Sequence, residues 1–139
     1  MFKSLLFAAA LFASPALAAP SIIGDWTNPA RSVTVHIAPC GATLCGRVIR
    51  ASGEARAKAA DGGTPRLIGT ELMSDLRPAG AGAWHGSFFV PDRNIRADGE
   101  LRLVSANAIT IEGCAVGGLL CKSQRWARTG AAAGVRKRR

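Results

Sequence analysis

The chain has no tyrosine, only two histidines, and nine acidic residues against eighteen basic ones. It also lacks the patterns that announce common chemistries. No Gly-x-Ser-x-Gly elbow, His-Glu-x-x-His helix or phosphate-binding glycine loop occurs, so the usual hydrolase, zinc-protease and nucleotide-binding readings have no support. Cys-x-x-Cys is missing, which argues against a thioredoxin-type redox pair. Apart from the first 18 residues there is no continuous apolar stretch, and a spanning helix needs about 20. A polytopic membrane protein is thereby excluded. Helical periodicity is scarce and there are no internal repeats.

What is present begins with residues 1–18. A cationic start (Met1-Phe2-Lys3) leads into the apolar stretch Leu5–Ala13 and then the small-x-small site Ala16-Leu17-Ala18, the pattern of a secretory signal peptide. Pro15 suits an extended segment in a peptidase groove. No Cys follows the site, so a lipoprotein is not indicated. The expectation is an exported, periplasmic protein, not membrane-spanning after cleavage, with a single domain over 19–129 and a disordered basic tail over 130–139.

Export makes disulfides the default reading of Cys40, Cys45, Cys114 and Cys121. Each close pair brackets a glycine-bearing turn, and cysteines at the ends of a tight hairpin meet without any global assumption. This favours Cys40–Cys45 and Cys114–Cys121 over crossed pairing. A tetrathiolate zinc site is the rival, and the six-residue spacing of the second pair fits it poorly. No metal or cofactor is expected.

Period-two alternation runs through the mature chain. Val33, Val35 and Ile37 oppose Thr34 and His36, and similar runs cover 44–50, 84–90, 100–104, 108–112 and 120–128, with Gly24-Asp25-Trp26 opening the first strand. In the last run Lys122, Gln124 and Trp126 share one face. Residues 52–65 carry no large apolar side chain and read as a surface loop. Residues 70–76 fit either a short helix capped by Thr70 or another strand. Six to eight short strands, with room for one short helix, describe an all-β sandwich or small antiparallel barrel. The barrel is favoured because Gly24-x-Trp26 and Trp126-x-Arg128 resemble the Gly-x-Trp…Arg signature of the lipocalin-like calycins. That resemblance gives Gly24, Trp26, Trp126 and Arg128 a barrel-closing role, with the arginine stacked on tryptophan.

A further set of motifs appears in order: Gly24-Asp25-Trp26, Cys40-Gly41-Ala42-Thr43-Leu44-Cys45-Gly46-Arg47-Val48, Leu67-Ile68-Gly69, Trp84-His85-Gly86, Pro91-Asp92, Leu101-Arg102-Leu103, Gly113-Cys114 and Cys121-Lys122-Ser123-Gln124-Arg125-Trp126-Ala127-Arg128. Together they resemble the bacterial domain-of-unknown-function family 2147, small exported proteins. The resemblance implies a compartment and a fold and brings no activity. This chain departs from the family pattern in placing Ser87 for a glycine, Asn94 for a turn glycine and Ala97 for a tyrosine.

No catalytic residue stands out. Asp92, Asp98 and Glu100 are interleaved with Arg93, Arg96 and Arg102, the pattern of a charge-balanced strand edge. His36 and His85 read as strand histidines that could reach a pocket mouth, and Trp84 opens its strand beside two glycines. Trp84, His85 and His36 are the expected ligand contacts. Four of the basic residues form the terminal cluster Arg136-Lys137-Arg138-Arg139, suited to anionic lipid or envelope phosphates. Nucleic acid is not expected as a partner, because no recognition motif accompanies the charge. The reading is a non-enzymatic binding domain for a small molecule or envelope component. The alternatives are surface association through the basic tail and, less favoured, a small hydrolase.

Overall fold

A computed structural model describes residues 21–115 and 120–130. The expected signal peptide (1–18) and the cluster Arg136–Arg139 lie outside the described residues. Eight antiparallel strands run in sequence: β1 (Gly24–Thr27), β2 (Val33–Cys40), β3 (Thr43–Ala51), β4 (Glu71–Pro78), β5 (Ala83–Val90), β6 (Ile95–Ser105), β7 (Ala108–Ala115) and β8 (Leu120–Arg128). Each pairs with the next, and β8 returns to β1 through Trp26–Arg128 and Thr27–Ala127, so the sheet closes into a barrel. Alternation turns one set of side chains inward on every strand.

One helix, α1 (Gly53–Asp61), crosses between β3 and β4. It replaces the surface loop expected over 52–65. Ser52 caps it by accepting from the Ala55 amide at 3.1 Å, and Glu54 pairs with Lys58 one turn on. Residues 70–76 belong to β4. Leu72, Met73 and Leu76 are all buried there, a spacing that mimics a helix face. A bulge between Ser74 and Arg77, with Asp75 at φ 52°, shifts the strand's phase so that Leu76 again points inward. The β5–β6 turn places Asn94 at φ 50°, a left-handed conformation that asparagine tolerates.

The barrel interior is divided along its axis. At the end bearing the β2–β3, β4–β5 and β6–β7 turns, Trp26, Ile37, Leu76, Leu101 and Ile109 are fully buried and fill the lumen. The Trp26 indole nitrogen donates to the Ile22 carbonyl at 2.8 Å, satisfying the one polar atom it takes into the core. Toward the other end the inward positions of β6 and β7 pass from Leu101 and Ile109 to Ala97 and Gly113. Small side chains there leave space unfilled. The two disulfides are Cys40–Cys45 and Cys114–Cys121, one at each end of the barrel.

Candidate functional site: the open end of the barrel

The unfilled end forms a cavity of about 550 Å³. Its wall is apolar in depth, from Leu72, Met73, Phe88, Ile111 and Trp126, and polar near the mouth, where β8 turns Lys122 and Gln124 inward. That volume falls within the range of about 300–1,000 Å³ that small-molecule sites occupy. The Trp126 indole nitrogen donates to Gln124 Oε1 at 3.0 Å, which fixes the amide beside the ring. Lys122 has no acidic partner among the described residues.

Helix α1 and the β5–β6 turn border the mouth and are fastened to each other. Thr64 donates its hydroxyl to the Pro91 carbonyl at 3.0 Å, and Gly62 lies so close to Asp92 that a Cβ would collide with that residue's carbonyl. The helix is seated on the barrel by Ala59, its only fully buried side chain. Glu54 and Lys58 form a 3.3 Å ion pair at the rim.

Trp84, His85 and His36 do not line this cavity, and the structure does not bring them together. Trp84 packs partly buried against the hydrophobic core, opposite Leu101. His36 lies on the outer wall, where its Nδ1 donates to Asp25 Oδ1 at 2.6 Å. His85 is also outside, 3.2 Å from Glu100, which bonds Arg102 as well. Strand parity is the reason: positions 36 and 85 alternate out of phase with the inward set. Asp25, His36, Arg47 and Glu71 occupy facing positions on β1 to β4, forming a charged row across the outside of the barrel. Such exposed pairs contribute about 0–1 kcal/mol each.

Of the four residues expected at barrel closure, Gly24, Trp26 and Arg128 meet at the packed end. The Arg128 guanidinium lies 4.3 Å from the Trp26 ring centroid and donates to the carbonyls of Ser21, Ile23 and Ala106. Gly24, at φ +137°, is the residue against which that guanidinium rests. Trp126 is elsewhere, in the cavity wall. Alternation set Lys122, Gln124 and Trp126 on one face of β8, and the structure turns that face into the cavity. The contribution of α1 was not visible in the sequence pattern, because the helix carries no large apolar side chain.

The residue order that builds this barrel matches a family model described as "Uncharacterized protein conserved in bacteria (DUF2147)" over residues 24–128. The chain belongs to that family. No curated protein matches it. Among solved structures, protein HP1028 from the human pathogen Helicobacter pylori, described as belonging to the lipocalin family, superposes with a TM-score of 0.62 at 12% identity, covering 84% of this chain and 88% of its own. At that identity the likeness shows the fold, which is lipocalin-like. Within this DUF2147 domain, Ala97 faces the cavity beside Gly113, where a larger side chain would take up open volume.

Proposed function

We propose that this protein is a non-enzymatic binding domain that takes one small, mainly apolar molecule into the open end of its barrel. The observation that carries this reading is the cavity itself: an apolar depth left open by Ala97 and Gly113 in a barrel otherwise packed. A ligand would lay its apolar body against Met73, Phe88 and Trp126 and place a polar end beside Lys122 and Gln124. Two disulfides fit an oxidising compartment. With the signal-like first 18 residues, we assign the protein to the periplasm.

Titration with the apolar fluorophore N-phenyl-1-naphthylamine tests the reading. Saturable one-to-one binding in the micromolar range is expected, with quenching of Trp126. Ala97→Trp, which fills the open end, should abolish binding while leaving the unfolding free energy within about 1 kcal/mol of the parent, since the space it occupies is already empty. Failure of the wild-type protein to bind, or equal binding by Ala97→Trp, would falsify the cavity as the site.

A further inference from the structure

On the outer wall, where β8, β1, β2 and β3 run side by side, lies a second concavity of about 640 Å³. Arg31, Arg50 and Arg125 line it, and no carboxylate does. None of these guanidiniums has an ion-pair partner among the described residues, although Arg47 and Arg102 on the same barrel are paired with glutamates. The nearest acid along β1, Asp25, is held by His36 at 2.6 Å.

The floor of this cleft is a row of hydroxyls. Thr27 Oγ1 lies 3.0 Å from Thr34 Oγ1 and 2.7 Å from Thr129 Oγ1. Three hydroxyls carry three protons, and two O···O contacts use two of them, so one O–H is left to donate to something else. Thr34 is only 7% exposed, which keeps bulk water from competing freely for it.

Arg31 supplies an independent observation. It sits at φ 56°, where a side chain other than glycine or asparagine costs about 1–2 kcal/mol. The turn is pinned there because Asn28 Oδ1 accepts from the amides of Ser32 and Val33. The arginine is thus held, at a conformational cost, where its charge adds to the other two.

We propose that this cleft binds a phosphoryl group, on a phosphomonoester or diphosphate. Planar guanidinium forks match pairs of phosphate oxygens, three cations suit a dianion better than a carboxylate, and the spare hydroxyl donates to a further oxygen. The site is separate from the cavity, meeting it only at the corner of Asn28, Ser32 and Ser52. It stands or falls independently of the apolar ligand.

The test is calorimetric titration of pyrophosphate into the full chain. Three proteins are compared: wild type, Arg50→Gln/Arg125→Gln, and a control with the same charge change, Arg56→Gln/Arg77→Gln. The terminal basic cluster is present in all three and contributes equally. Wild type and control should bind one pyrophosphate saturably, and the cleft variant should bind at least about tenfold more weakly through loss of two charge-assisted contacts. Equal weakening in both variants, or no saturable binding by wild type, overturns the proposal. Cosedimentation with phosphatidic acid–phosphatidylcholine vesicles distinguishes the source. Retention that depends on Arg50 and Arg125 identifies a lipid headgroup, whereas pyrophosphate binding without it identifies a soluble phosphate ester. All the substituted arginines are exposed, so unfolding midpoints should agree among the three proteins.

Discussion

The Arg128 side chain combines a stacked aromatic face with donation to three main-chain carbonyls, two on the segment before β1 and one in the β6–β7 turn. Replacing it with methionine keeps much of the apolar stem and removes the charge and the donors. We expect a loss of about 2–3 kcal/mol in urea unfolding, from one cation–π contact and several hydrogen bonds. Arg128→Lys should recover less than half, because an ammonium cannot fork toward three acceptors. Gly24→Ala should weaken the same corner, since a Cβ there strikes the guanidinium and the backbone lies at φ +137°. The expectation that a glycine, a tryptophan and an arginine meet at this corner came from a resemblance to the Gly-x-Trp…Arg signature, and nothing in composition or periodicity pointed to it. The alternation set His36 opposite Val33, Val35 and Ile37, and both histidines lie outside with acidic partners; what it did not show is that the cavity is lined from the inward face alone.

Among the elements, α1 and β4 show where pattern reading fails. The helix is Ala-rich and charged, so it has no apolar stripe to reveal it, yet Ser52 and the Glu54–Lys58 pair are ordinary helix signals. In β4 the bulge at Asp75 resets the alternation, and buried residues at 72, 73 and 76 imitate helical spacing. Alternation found β8 over its whole length, but only 100–104 of β6 and 108–112 of β7, because Gly99 and Gly113 interrupt the apolar pattern. Because α1 rests on the barrel mainly through Ala59, its opening should need far less free energy than unfolding of the sheet. Hydrogen exchange should therefore show faster exchange over Gly53–Asp61 than over the paired amides of β6 and β7. Ser52→Ala should weaken the helix by about 1 kcal/mol. Gly62→Ala, by pushing the helix end off the Asp92 carbonyl, should raise exchange in α1 and leave β6 and β7 unchanged.

For the whole molecule, the division into a packed and an open end separates stability from binding. Each disulfide closes a short loop, so the chain-entropy model assigns about 2–2.5 kcal/mol to either. For a domain of this size that corresponds to a fall in Tm on the order of 10 °C per bond removed. The two bonds should differ in their effect on ligand. Cys40→Ala/Cys45→Ala acts at the packed end and should lower Tm with little change in fluorophore affinity. Cys114→Ala/Cys121→Ala loosens the cavity rim, so Tm and affinity should fall together. Thermal melts and titrations on the two double variants check this. Alternation alone gave an all-β chain and a shared face for Lys122, Gln124 and Trp126, while the choice of a barrel over a sandwich rested on the calycin resemblance. The cavity could be read from neither, because it depends on which inward positions are small on neighbouring strands, a property of register rather than of any one segment.

The closing of β8 onto β1 has a kinetic consequence. The hydroxyl contact between Thr27 and Thr129 spans 102 positions of the chain, and the seam rests on two facing residue pairs. Loop-closure entropy makes such a junction slow to form, while each of the seven sequential pairings joins strands that follow one another in the chain. A chain that has not yet delivered β8 can assemble a curved sheet, but β1 and β7 remain open edges able to pair with another molecule. The last strand thus ends the interval in which the folding chain is exposed to aggregation.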